Sequence, residues 1–129
     1  MANPNKYGAN SDQPSSVSQH VSFTVGSSGA VGTLTKNTGP EVKSVTGPAN
    51  TSDYTVNLRE GWVRARNIRV WFVGAYDATQ GTNSKVIADN VAATSSPGFT
   101  FTVARPDTGA AALPATSDVC HITFDLDAV

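Results

Sequence analysis

The chain has 129 residues, a mass of 13.4 kDa and a formal net charge of −1 at pH 7. This length fits one domain, and nine basic against ten acidic residues leave no chain-wide positive field for holding a nucleic acid. The 15 valines, with only four leucines and three isoleucines, and the 28 serine and threonine residues favour strands and turns over helices. The single cysteine, Cys120, excludes an internal disulfide framework.

Residues 1–16 are rich in asparagine, serine and proline, and Tyr7 is their only large apolar side chain after Met1. We predict an extended or disordered N-terminal arm here, followed by a folded domain over 17–129. The arm is either a frayed terminus or a segment that docks on a neighbouring subunit. The chain start lacks the pattern of a secretory signal, and no window has the roughly 20 apolar residues of a membrane span. We therefore expect synthesis in the cytoplasm and no membrane partner.

Alternating apolar and polar residues predict strands along the rest of the chain. Val21, Phe23 and Val25 alternate with polar residues, and Tyr54 begins a second clear alternation. Turn residues such as those at 37–40 separate the runs. The predicted strands are 17–25, 31–35, 41–46, 53–58, 68–76, 85–93, 99–103 and 120–127.

Two segments in the middle of the chain are less regular. Residues 59–66 have no clean period, so a loop or one helical turn is expected there. In 68–76, Ile68, Val70 and Phe72 share one face, while the other face is also largely apolar. Such a strand is predicted to be central in its sheet or to lie at a subunit contact.

About eight short strands with frequent turn signals predict an all-β fold. We expect a β-sandwich, either a jelly roll or an immunoglobulin-like Greek key, because no helical pattern of ten residues is present. The strand order is left open.

The search for catalytic and metal-binding chemistry predicts no catalytic residue, no metal site and no cofactor. His121 has no second histidine two residues along its strand, and Cys120 faces the opposite side from His121 and is expected to be buried. Asp125 and Asp127 share a face, which is interpreted as an exposed acidic strand edge in preference to a calcium site. The chain is therefore expected not to be an enzyme.

The charge distribution is uneven. Four of the nine basic residues fall within eleven positions with only Glu60 opposing them, whereas residues 107–129 contain four aspartates and no basic residue. Trp62 and Trp71 lie among these arginines, a composition typical of protein interfaces. The alternatives are tryptophans in the core with solvated arginines, or stacking on single-stranded nucleic acid. The predicted interface residues are Tyr7, Arg59, Trp62, Arg64, Arg66 and Arg69.

The opposite charges also suggest self-association. The basic and acidic segments could meet between identical subunits, and such a head-to-tail contact can close into a ring such as a trimer.

The segment from Asp53 to Asp127 carries a set of motifs that resembles small virion proteins of tailed bacteriophages. The motifs are Asp-Tyr-Thr-Val-Asn-Leu at 53–58 with Gly61-Trp62, Asp-Asn-Val-Ala at 89–92, Phe-Thr-Phe-Thr-Val at 99–103, Asp-Thr-Gly-Ala-Ala-Ala-Leu-Pro-Ala at 107–115 and Val-Cys-His-Ile-Thr-Phe at 119–124. The resemblance implies a non-enzymatic decoration or cement protein on the capsid surface of the virion. Such a protein binds the major capsid protein, clamps neighbouring subunits, and is often a homotrimer.

The alternative is a receptor- or glycan-binding β-sandwich module of a head or tail fibre. In that case Tyr76, beside the polar loop 77–83, is the best candidate for a sugar-binding aromatic residue. A β-sandwich enzyme is a third alternative, and it would require the face of residues 120–127 to lie in a cleft.

Overall fold

Seven strands form two antiparallel sheets in the computed structural model, which describes residues 16–128. The strands are β1 (Ser16–Thr24), β2 (Val42–Ala49), β3 (Asp53–Leu58), β4 (Arg64–Val73), β5 (Asn83–Asp89), β6 (Gly98–Ala104) and β7 (Val119–Asp127). One sheet has the order β1-β7-β4 and the other β2-β3-β6-β5. The predicted all-β sandwich is confirmed.

The strand order decides between the two predicted types of sandwich. An immunoglobulin constant-type domain has strands ABED in one sheet and CFG in the other. Here β2, β3, β6 and β5 correspond to A, B, E and D, and β4 and β7 correspond to C and F. The place of the last strand, G, is taken by the N-terminal strand β1. The arrangement is therefore immunoglobulin-like with its edge strand supplied from the other end of the chain.

The predicted strand at 31–35 is wrong, although the segment from Gly32 to Gly39 does follow the outer edge of β1. Its hydrogen bonds run from the amides of Gly32, Thr35 and Gly39 to carbonyls of β1, at 3.2, 3.0 and 2.7 Å. Three or four residues separate these amides, whereas the accepting carbonyls are two residues apart. A regular ladder is impossible at that spacing, so the segment covers the edge of β1 without forming a strand.

Several predicted boundaries also differ from the structure. β2 continues to Ala49 through Pro48, where a break was predicted. β2 is an edge strand with a register shift between Thr46 and Ala49, and proline is tolerated at such positions. β4 begins at Arg64, within the predicted loop, and ends at Val73 instead of residue 76. β5 ends at Asp89 instead of residue 93. Of the predicted arm, only Ser16 is described, and it begins β1; residues 1–15 lie outside the described part.

The core lies between the sheets and is formed by the alternating residues that the sequence predicts to face inward. Phe99 of β6 meets Phe124 of β7 edge to face, with ring centroids 5.0 Å apart, which joins the two sheets. Tyr54 stacks on Phe101 at 5.6 Å, and its hydroxyl donates a hydrogen bond to the Gly29 carbonyl at 2.6 Å. The fully buried side chains include Val21, Phe23, Val25, Tyr54, Val56, Leu58, Val91, Phe99, Phe101, Ile122, Phe124 and Leu126.

β4 is an edge strand, so its predicted central position is wrong; β7 is the central strand of this sheet. The predicted faces of β4 are nevertheless correct, since Ile68, Val70 and Phe72 pack against the core. A central position in the sheet therefore does not explain why the outer face of β4 is largely apolar. The subunit contact, the other reason predicted for this pattern, stays a prediction.

Phe101→Ala and Phe124→Ala are each expected to lower the free energy of unfolding by roughly 3 to 5 kcal/mol, because each removes a buried ring from the space between the sheets. Urea denaturation measures this change. Tyr76→Ala is the control: the side chain is 81% exposed, and a change within about 0.5 kcal/mol is expected. A loss below about 1 kcal/mol for both phenylalanines would contradict the assigned core.

Candidate functional site

Three of the four clustered arginines lie together on the outer side of the β1-β7-β4 sheet, which we call the three-strand face. Arg64, Arg66 and Arg69 all belong to β4, but positions 66 and 69 would point to opposite sides of a regular strand. A β-bulge between Arg66 and Arg69 adds one residue to β4 and brings Arg69 back to the outer side. Within it, Asn67 has φ +54°, a left-handed conformation that asparagine tolerates better than most residues.

The arginines of β4 pair with the aspartates of the neighbouring strand β7. Arg64 Nε and Arg66 Nε both donate hydrogen bonds to Asp127 Oδ2, at 2.8 and 2.7 Å. Arg66 Nη1 also lies 3.7 Å from Asp125 Oδ2. The basic and acidic segments therefore meet within one chain. This pairing takes away the charge argument for a head-to-tail contact between subunits, and the trimer stays a prediction.

The interpretation of Asp125 and Asp127 as an exposed acidic edge is wrong, because β7 is flanked on both sides. The Asp127 side chain retains only 10% of its exposure. Asp125 accepts hydrogen bonds from Ser18 Oγ at 2.7 Å and Asn67 Nδ2 at 2.8 Å. Both carboxylates are thus occupied by side chains of the flanking strands, on β1 and on β4.

These contacts stabilise the ionised carboxylates. Hydrogen bonds from Arg66 and then Arg64 lower the pKa of Asp127 to about 2. Hydrogen bonds from Asn67 and Ser18 lower the pKa of Asp125. The acidic pair is therefore charged under all but strongly acidic conditions, and it anchors β4 to β7.

Arg69 differs from Arg64 and Arg66 because it makes no ion pair within residues 16–128. With His20, Thr123 and Asp125 it lines a shallow depression of about 650 Å³ on the three-strand face. Arg69 is thus the arginine of this face that is available to a partner.

The remaining predicted interface residues lie elsewhere. Arg59 follows the end of β3, in the other sheet, and its Nε donates a hydrogen bond to the Pro40 carbonyl at 2.9 Å. Trp62 is partly buried against the core, and its indole N–H donates to Glu41 Oε1 at 2.9 Å. Tyr7 lies outside the described residues. The structure therefore groups Arg64, Arg66 and Arg69 and leaves Arg59 and Trp62 apart from them.

A row of three aromatic rings crosses the three-strand face. Trp71 of β4 stacks on His121 of β7, with centroids 5.1 Å apart and an interplanar angle of 15°. His121 in turn faces His20 of β1, with 3.5 Å between His20 Nε2 and His121 Nδ1. Sequence reasoning looked for a second histidine along the strand of His121 and missed this one, because the partner comes from a neighbouring strand 101 residues away.

Cys120 lies on the inner face of β7 and is fully buried, as predicted. Burial raises the pKa of its thiol to about 12. The thiolate needed for nucleophilic chemistry is therefore strongly disfavoured.

A second surface is formed where the edge strands of the two sheets lie side by side. The Ser84 hydroxyl of β5 approaches the Val70 carbonyl of β4 at 3.4 Å. Five of the seven exposed large hydrophobic residues of the described chain belong to these strands or their connection. We call this surface the β4–β5 side; its residues are Trp71, Val73, Tyr76, Val86 and Ile87. Sequence reasoning singled out Trp71 and Tyr76 but missed Val86 and Ile87, because the place of their strand at a sheet edge depends on its pairing with distant segments.

Comparisons with known proteins found no matching family model, no matching curated protein and no matching solved structure. No helix within residues 16–128 is long and apolar enough to cross a membrane.

Asp127→Asn is expected to lower the free energy of unfolding at pH 7, because it removes the charge that both arginines contact. The folded-state pKa of about 2 lies below the value of about 3.9 for an unfolded aspartate. The stabilisation is therefore fully present above about pH 4 and is lost as the pH falls through about 2. Urea denaturation of wild type and variant should show their difference shrinking across this window.

Asp53→Asn is the matched control, since the Asp53 carboxylate makes no ion pair in the described chain and its side-chain contact is with the Asn50 amide at 3.4 Å. Asp53→Asn is expected to lower the free energy of unfolding at pH 7 by less than Asp127→Asn does. The account of the acidic pair would be contradicted if the difference in the free energy of unfolding between wild type and Asp127→Asn stayed constant from pH 7 to pH 2.

Proposed function

We propose that this protein is a non-enzymatic virion protein that binds the outside of a tailed-phage capsid and stabilises contacts between major capsid subunits. The observation that carries the proposal is the β4–β5 side, where exposed apolar side chains are concentrated on two adjacent sheet edges. The capsid as partner follows from the resemblance of residues 53–127 to phage virion proteins.

The edge of β4 has the character of a contact surface. From Val70 to Ala75 the chain has no charged residue and no proline, the residues that usually protect a free edge from pairing. Trp71 is 42% exposed and Val73 is 54% exposed. Burying such side chains against a partner is favourable, and a tryptophan at the centre of a patch is a common source of binding energy.

The edge strand of the other sheet completes this surface. β5 presents Val86 and Ile87, and a β-bulge between Val86 and Ala88 disturbs its ladder with β6. Bulged edges pair poorly with a further strand. We therefore propose that β5 contributes side-chain contacts and that β4 contributes both side chains and free backbone groups.

The polar groups of the molecule support binding over catalysis. Asp125 and Asp127 are held by arginine, asparagine and serine side chains, and the Cys120 thiol is buried in the core. These groups serve the fold, so the proposed function rests on surface complementarity.

The experiment uses capsids of the phage that encodes this chain, assembled without it, and measures the bound protein after sedimentation. Val73→Lys and Ile87→Lys are each expected to lower occupancy at least tenfold, because each places a charge in the apolar contact. Val63→Lys is the matched control, since Val63 is 43% exposed but precedes β4; occupancy within about twofold of wild type is expected.

Thermal unfolding of each variant verifies that the fold is intact. Failure of the wild-type protein to bind these capsids would overturn the capsid proposal. Unchanged occupancy of both Val73→Lys and Ile87→Lys would remove the β4–β5 side as the docking surface.

The same resemblance to phage virion proteins implies a homotrimer, and we include the homotrimer in the proposal. Light scattering of the purified full chain is expected to give a mass three times 13.4 kDa. A mass equal to one chain at all concentrations would contradict the trimer and favour separate attachment of each copy.

A receptor- or glycan-binding fibre module is the second candidate, and one observation favours it. Tyr76 is 81% exposed beside the loop that precedes β5, and exposed aromatic rings can stack on sugars. Binding to a glycan array that is abolished by Tyr76→Ala, together with unchanged capsid occupancy of that variant, would favour this candidate.

A further inference from the structure

We infer that His20 and His121 form a binding site for one divalent transition-metal ion, with Zn²⁺, Ni²⁺ and Cu²⁺ as the fitting class. The two rings come from adjacent antiparallel strands, in which His20 pairs with Thr123 and His121 pairs with Ser22. The histidines are therefore diagonal neighbours on the same face. Their ring centroids are 5.8 Å apart while Nε2 of His20 and Nδ1 of His121 are 3.5 Å apart, so the nitrogens lie on facing edges of the rings.

The distance between the nitrogens suits a shared ion. Two imidazole nitrogens bound to one tetrahedral Zn²⁺ at about 2.0 to 2.1 Å lie about 3.3 Å from each other. The observed separation of 3.5 Å is close to that value, but the nitrogens point directly at each other, so each ring has to turn by roughly 35° for both lone pairs to meet one tetrahedral ion. Metal binding requires the tautomers in which the ring protons lie on Nδ1 of His20 and Nε2 of His121, so that Nε2 of His20 and Nδ1 of His121 are free to bind the ion as neutral ligands.

The surroundings hold the site in place and leave it open. Trp71 stacks on His121, and both histidines belong to strands that are paired along their length. Arg69 and Asp125 line the same depression as His20, so one positive and one negative charge lie nearby. Within residues 16–128 no third histidine, cysteine or acidic side chain joins the pair; water or a partner's ligand would fill the other positions.

The chemistry of the donors selects the metal. Imidazole suits Zn²⁺, Cu²⁺ and Ni²⁺, whereas Ca²⁺ and Mg²⁺ require oxygen ligands. Among the three, Cu²⁺ is expected to bind most tightly. Because protons compete for the same nitrogens, affinity is expected to fall on acidification.

The test titrates the untagged full chain with Zn²⁺, followed by calorimetry and by the ring-nitrogen chemical shifts of the two histidines. One ion per chain is expected, with the largest changes at Nε2 of His20 and Nδ1 of His121. His20→Gln and His121→Gln should each weaken binding at least tenfold, since both rings hold one ion. His121→Phe keeps a ring for Trp71 to stack on and should weaken binding equally, which separates ligation from packing.

Fluorescence gives an independent readout with Cu²⁺. The ion at this site is close to Trp71, so Cu²⁺ should quench the tryptophan emission of the wild-type chain. In Trp71→Phe the remaining emission comes from Trp62, the other tryptophan, and Cu²⁺ should quench it only slightly. Wild-type Zn²⁺ affinity in either single glutamine variant would overturn the shared site. Ring-nitrogen shifts that do not respond to Zn²⁺ would also overturn it.

Discussion

The position of β7 between β1 and β4 is the constraint on which the rest of the structure depends. Its inner side chains, from Cys120 to Leu126, enter the core, and Phe124 meets Phe99 of the opposite sheet. Its outer side chains determine the three-strand face, because Asp125 and Asp127 hold β4 while His121 lies between Trp71 and His20. A central strand thus supplies the core on one side and the polar contacts on the other.

This arrangement changes how the surface of the molecule is interpreted. The most conspicuous charges of the sequence neutralise one another between β4 and β7 and so contribute to the fold. Arg69 is the exception on that face. We propose that a partner binds the apolar β4–β5 side, where the edge strands of the two sheets lie side by side. The edge of β1, in contrast, is covered by the segment from Gly32 to Gly39.

Much of the fold could be predicted because alternation is a local property of the sequence. The inward residues of β1, β3, β6 and β7 follow directly from it. The site could not be predicted in the same way, because it depends on register between distant segments. β1 and β7 lie at opposite ends of the described chain, yet their pairing brings His20 to His121.

The bulge in β4 illustrates the same limit on a smaller scale. Arg66 and Arg69 are separated by an odd number of positions, so alternation alone places them on opposite sides. The left-handed Asn67 reverses that result. The edge position of β4 was equally hidden, since an apolar outer face is typical of a central strand and edge strands usually carry charged residues or proline.

The most direct test of the account is the salt dependence of capsid binding by the wild-type chain. Exposed ionic contacts weaken strongly as salt shortens the screening length, whereas apolar contacts do not. If the β4–β5 side is the docking surface, occupancy should change by less than about twofold between about 50 and 500 mM NaCl. A fall of about tenfold or more over that range would contradict the account and assign docking to the arginines.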